Sequence, residues 1–81
     1  MNASTLINNL LTHAGLRITV NGETHTVRED TSLAELLVRL GHTHNSLATA
    51  VNGDFVPRSS RAQRLLLDGD AVTCFQPIVG G

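Results

Sequence analysis

Along residues 16–20, Leu-Arg-Ile-Thr-Val, apolar and polar side chains alternate, which is the period of a half-buried strand. Asn21-Gly22 follows, a pair suited to a two-residue hairpin turn because both positions need positive φ. Thr24-His-Thr-Val27 then returns as a second strand, with His25 and Val27 on one face and Thr24 and Thr26 on the other. Residues 16–28 therefore predict a β-hairpin. The period changes at Ser32. Leu33, Leu36, Leu37 and Leu40 fall at i, i+3, i+4 and i+7, one apolar stripe of a helix over 33–40. Ser32 and Glu35 have the spacing of a capping box, and Gly41 supplies a left-handed stop.

After a polar loop, His42–Ser46, residues 47–51 read as a strand, Asn52-Gly53 as a second turn, and 54–58 as a short strand that Pro57 confines to an edge or an end. Residues 59–66 have room for a turn of helix capped by Ser59 or Ser60. Asp68-Gly69-Asp70 reads as a tight turn whose chemistry accounts for both carboxylates. Ala71–Phe75 is the last strand. One amphipathic helix must bury its leucines on a mixed sheet of four or five strands. The expected fold is an α+β roll of the β-grasp (ubiquitin-like) arrangement.

Residues 1–15 stand apart. Leu6, Ile7, Leu10, Leu11 and Ala14 recur at helical spacing, Ser4 can cap and Gly15 can terminate, but isolated helices of this length are marginal in water. The expected organisation is an N-terminal extension over 1–15, short helix or disordered, then a domain over 16–75 and a flexible tail over 76–81.

Composition narrows the function classes. Eighty-one residues make one small domain. A net charge of −1 gives no electrostatic case for nucleic acid or anionic membrane. No apolar run is long enough for a membrane span, and no signal-peptide pattern opens the chain. The single cysteine excludes an intramolecular disulfide framework, so a cytoplasmic location is the expectation. All six basic side chains are Arg, so no side-chain amine is present for a Schiff base or for an isopeptide bond from a second copy.

Catalytic chemistry finds little support. Cys74 lies within a strand with no basic neighbour in sequence, which suits a structural thiol. His42 and His44 share a loop without a carboxylate or cysteine at ligand spacing, and His13 and His25 are isolated. Glu29 and Asp30 complement a helix N-terminus rather than forming an acid–base pair. No glycine-rich loop opens a helix, so no phosphate cradle is read in the chain. Arg58 is assigned a local surface ion pair. No residue is assigned to catalysis or to a metal, and no cofactor is expected to be bound.

The chain closes on Pro77-Ile-Val-Gly-Gly81. Pro77 stiffens the exit from the last strand, and Ile78 and Val79 are apolar where a solvated tail would be polar. Five residues extend at most about 16–18 Å. Glycines lack Cβ and pass a narrow channel. A terminal carboxylate ionised at neutral pH is a nucleophile for the α-phosphate of ATP in another protein's active site.

These residues resemble the ThiS family of sulfur carriers. The likeness rests on Val51-Asn52-Gly53, Val56-Pro57-Arg58, Ala62, Leu67-Asp68-Gly69-Asp70, Val72, Pro77 and Gly80-Gly81. Val20-Asn21-Gly22 and 32–37 extend it upstream, so that it covers residues 16–81. The resemblance implies that Gly81 carries sulfur as a thiocarboxylate and that Gly80 permits passage of the tail. Phe75, Pro77, Ile78 and Val79 would contact partners; for Phe75 this requires Val72 and Cys74 to face the helix. It implies an E1-like adenylyltransferase (ThiF type) using ATP and Mg, a cysteine desulfurase or related sulfur donor, and a thiazole synthase (ThiG type) as recipient. The chain itself is then a carrier, not an enzyme. Alternatives are a MoaD-like subunit of molybdopterin synthase, which shares fold and tail, a ubiquitin-related protein modifier, and a β-grasp adaptor in which the two glycines have no function.

Overall fold

The computed structural model describes residues 15–76. Five strands and one helix follow in the order β1 (Gly15–Val20), β2 (Glu23–Arg28), α1 (Leu33–Arg39), β3 (Ala48–Val51), β4 (Asp54–Val56), a 3-10 turn (Arg58–Ser60) and β5 (Ala71–Phe75). They form one sheet of order β2-β1-β5-β3-β4. β1–β2, β3–β4 and β3–β5 are antiparallel, and β1–β5 is parallel. This is the mixed sheet packed on one main helix that the periodicities predict.

Both hairpins turn where Asn-Gly stands. Asn21 and Gly22 have φ of 51° and 86°, and Asn52 and Gly53 have 53° and 85°. Positive φ at both central residues gives a type I′ turn, whose twist matches that of the strands it joins. The turn fixes the register, with Val20 opposite Glu23 and Val51 opposite Asp54. β4 is an edge strand that ends at Val56, immediately before Pro57, because proline has no N–H to give a ladder.

The helix starts as its capping pattern requires. The Glu35 N–H donates to Ser32 Oγ at 3.1 Å, and the Ser32 N–H donates to Glu35 Oε1 at 3.2 Å. It ends in a Schellman motif: the Gly41 N–H donates to the Val38 carbonyl and the His42 N–H to the Leu37 carbonyl, with Gly41 at φ 78°. Leu33, Leu36 and Leu37 are buried against Ile18, Val20, Val27, Val51, Val56, Leu66 and Val72, while Leu40 packs on this core partly buried. Each fully buried leucine contributes about 1.5–3 kcal/mol of transfer free energy.

Several boundaries differ from the sequence expectation: the helix closes at Arg39 rather than Leu40, β3 starts at Ala48 rather than 47, and β4 stops at Val56 rather than 58. The turn after β4 begins at Arg58, takes Pro57 as its N-cap and has no side-chain cap, so neither Ser59 nor Ser60 caps it. The fixed φ of proline makes it a natural entry residue for such a turn. Gly15 belongs to β1, opposite Arg28, rather than to the end of a preceding helix. The rest of the predicted N-terminal extension, residues 1–14, lies outside the described residues.

Leu36→Ala is expected to lower the unfolding free energy by about 2–5 kcal/mol. Val38→Ala, on the solvent side of the same helix, should stay within about 0.5 kcal/mol of the parent. Urea unfolding followed by circular dichroism checks both.

Candidate functional site

The functional hypothesis concerns what β5 carries at its end. β5 is the middle strand, and both of its edges are occupied. Thr19 and Val20 pair with Ala71 and Val72 on one side, and residues 48–51 pair with 72–75 on the other. β1 turns away after Val20, and the Asn21 side chain takes over. Its Oδ1 accepts from the Cys74 N–H at 2.9 Å, while the Asn21 N–H donates to the Val72 carbonyl. On the other edge Asn52 Oδ1 accepts from the Ala71 N–H at 2.9 Å, and Asn52 Nδ2 donates to Asp70 Oδ1 at 2.8 Å. The two hairpin asparagines thus hold β5 from both sides. By register, Phe75 stands three residues past Val72, the partner of Val20, about 10 Å further along the strand. Gly15 lies at the opposite end of the sheet, about 25 Å from Phe75 along the strands.

Alternation sorts the side chains of β5. Val72 is buried and Cys74 packs partly buried against the core, whereas Ala71, Thr73 and Phe75 point away from the helix. Phe75 is 42% exposed, so the outward orientation that the sequence reading required is the one observed. Phe55 joins it on that face. Phe55 pairs with Ala50, Ala50 pairs with Thr73, and Thr73 and Phe75 are two apart on one strand. Phe55 is 64% exposed. The two aromatics lie about 12 Å apart on the outer sheet face, by strand spacing and rise. Sequence reasoning did not single out Phe55. The signal was available, since Val56 had to face the core and its neighbour therefore had to face out. Pro77, Ile78, Val79, Gly80 and Gly81 lie outside the described residues.

The helix side of the same strands carries charge. Thr49, opposite Cys74, is fully buried; its hydroxyl donates to the Val56 carbonyl and accepts from Arg61 Nε, both at 3.0 Å. Arg61 Nη2 donates to the Leu47 carbonyl at 2.7 Å. Arg61 is only 8% exposed. Sequence reasoning missed both residues, because nothing in Ser60-Arg61-Ala62 distinguishes a buried arginine from a solvated one. Burial pushes the Cys74 thiol above its ordinary range, and the Arg61 charge offsets part of that rise. Cys74 therefore does have a basic neighbour, one that only the fold supplies. A thiol raised in this way is a poor nucleophile at neutral pH.

The remaining polar candidates resolve as follows. Arg58 donates to the Asn45 carbonyl, which replaces the surface ion pair expected of it. Asp70 is more than a turn residue: it is buried, accepts from Asn52 and from the Leu67 N–H, and pairs with Arg64 at 3.4 Å. Asp68 accepts from the Arg17 N–H at 2.8 Å. The Ser46 N–H donates to His44 Nδ1 at 3.2 Å. Among the described residues no three His, Cys, Asp or Glu side chains gather as for a metal ion. Among them, too, no helix is long and apolar enough to cross a membrane.

Comparison with known proteins gives a consistent result. The ThiS family model matches residues 13–81. The sulfur carrier protein ThiS of Escherichia coli (strain K12) is 33% identical over 66 residues, covering 82% of this chain and 100% of that protein. The crystal structure of a thiamine biosynthesis protein (ThiS) from Geobacter metallireducens superposes with a TM-score of 0.73 at 30% identity, over 82% of this chain and all of that one.

Alkylation of Cys74 in the folded protein should be slower at pH 8 than that of an unfolded peptide carrying the same thiol, and its pH midpoint should be higher. Because the folded pKa is the higher one, the associated stability is complete below the ordinary thiol range and is lost as pH rises through the folded value. Iodoacetamide kinetics across pH 7–11, an order-of-magnitude bracket around the thiol range, test this.

Proposed function

The chain belongs to the ThiS family of sulfur carriers, and from that premise we propose that its Gly81 carboxylate is the sulfur-bearing group in thiazole (thiamine) synthesis. The observation that carries this reading is that the family match runs through the terminal Gly80-Gly81. In the proposed cycle a Gly81 carboxylate oxygen attacks the α-phosphorus of ATP in an E1-like partner of the ThiF type, with Mg bound there. Pyrophosphate leaves and an acyl-adenylate forms. The terminal sulfur of a persulfide on a cysteine desulfurase or related donor attacks the acyl carbon and AMP leaves; a thiol reductant then cleaves the acyl disulfide, giving the thiocarboxylate and a disulfide. A thiazole synthase of the ThiG type accepts the sulfur, and an oxygen from its substrate or from water takes the sulfur's place on the acyl carbon and restores the carboxylate. These steps take place in the cytoplasm, and the carrier contributes an acyl group and a docking surface rather than a catalytic side chain.

The geometry supports this division of labour. β5 ends with Phe75 on the open face of the sheet, and exposed Gln76 follows. Residues 77–81 follow from this root on the central strand. Phe75 and Phe55 supply apolar area on that face, and aromatics in such positions are the side chains that carry binding energy in interfaces. Ile78 and Val79 would continue the contact within the partner's channel, with Pro77 limiting the conformations to be ordered.

Intact mass spectrometry of the protein isolated from its native cell should show a species heavier by the difference between sulfur and oxygen, mapping to Gly81. Deletion of Gly81 should abolish it; an unchanged sulfur delivery by the truncated chain overturns the assignment. Phe75→Ser should leave the fold intact and weaken binding to the adenylating partner about tenfold or more, as titration calorimetry would show. Capture of the large subunit of molybdopterin synthase in place of a thiazole synthase would refute the thiazole assignment.

A further inference from the structure

Arg61 is a nine-tenths buried cation with no carboxylate paired to it among the described residues. Two of its five N–H groups are used on neutral oxygens, those of Thr49 and Leu47. No enclosed side-chain nitrogen or oxygen among the described residues lacks a hydrogen-bond partner. Its Nη1 makes no hydrogen bond within the described residues, and Arg61 lines a cleft beside the end of α1. That cleft, about 240 Å³, is bordered by His42, Thr43, His44, Arg58 and Arg61, with Leu37 in its apolar lining. It holds two arginines and two histidines, and no acidic side chain lines it. Glu35, with Arg39, lines an adjoining depression on α1 that shares Ala34 and Val38 with the cleft.

We propose that this cleft is a binding site for a phosphate-class oxyanion, held by Arg61 and Arg58. A buried charge is costly unless compensated, and the protein has fixed this one in place with hydrogen bonds rather than neutralising it. Planar guanidinium groups suit phosphate oxygens, and two of them match a dianion better than a single carboxylate. The site is assembled, not incidental. The Schellman motif sets the position of His42, the Asn45 carbonyl anchors Arg58, and Thr49 with Leu47 orients Arg61. The volume accommodates inorganic phosphate and leaves room for a pyrophosphate or a phosphate monoester. The cleft lies on the helix side of the sheet, at the end where Leu47 enters β3 and β5 finishes, and thus across the sheet from Phe55 and Phe75. The proposal does not depend on the chemistry of Gly81.

The test is a titration of the full-length protein with inorganic phosphate, and separately with pyrophosphate, at constant ionic strength. It is read by nuclear magnetic resonance at the Arg61 Nε–H and the amides of residues 42–44 and 61–62. Saturable shifts confined to these positions are expected. Arg58→Gln, at an exposed side chain, should keep the fold and weaken binding about three- to tenfold. Arg61→Lys should weaken it at least as much, since a lysine keeps the charge but loses the fork. Shifts that fail to saturate, that spread evenly over the surface, that are matched by chloride or acetate, or that are unchanged in Arg58→Gln overturn the proposal.

Discussion

The position of β5 at the centre of the sheet is the constraint on which the rest of the molecule depends. A central strand must have both edges paired, and here the backbone ladders are too short to do it alone. β1 reaches only as far as Val72, so the Asn21 side chain receives the Cys74 N–H, and Asn52 receives the Ala71 N–H at the other end. The same two asparagines adopt the positive φ of the hairpin turns. Turn geometry and strand anchoring are thus one interaction in each case. With β5 fixed, Val72 enters the core under α1, Cys74 is half-enclosed, and Phe75 has no choice but the open face.

This arrangement gives β5 a firmly held setting. The core is built from Leu, Ile and Val around one capped helix, and among the described residues no enclosed side-chain nitrogen or oxygen lacks a hydrogen-bond partner. Asp70 binds the loop after the 3-10 turn to Asn52 and Arg64, while Thr49 and Arg61 bind the 3-10 region to β3. These contacts hold the segment between β4 and β5, which contains little regular structure, against the sheet.

The two sides of the sheet differ in chemistry. The outer face presents Phe55 and Phe75 over small residues, Ala50 and Thr73, and suits apolar contact. The helix side at the same pole presents guanidinium groups around a cleft. Separation by the sheet allows one surface to engage a protein while the other meets an anion, without competition for the same side chains.

Period and turn chemistry in the sequence determined most of the fold. Alternation at 16–20 and 24–27, the leucine stripe at 33–40, two Asn-Gly pairs and the Ser32–Glu35 box all act over a few residues, and local physics reads them directly. The terminal Gly-Gly and the family likeness were legible in the same way, and alternation already required Phe75 to face out once Val72 faced in. What only the tertiary structure decided involves residues far apart in sequence. Arg61 beside Cys74, Asp70 beneath Asn52, Phe55 on the face of Phe75, and Arg58 on the Asn45 carbonyl are set by strand order and loop packing. Hydrophobic period says which side chains must be buried, but it carries no information about which distant partner a charge or a hydroxyl meets once the core has closed.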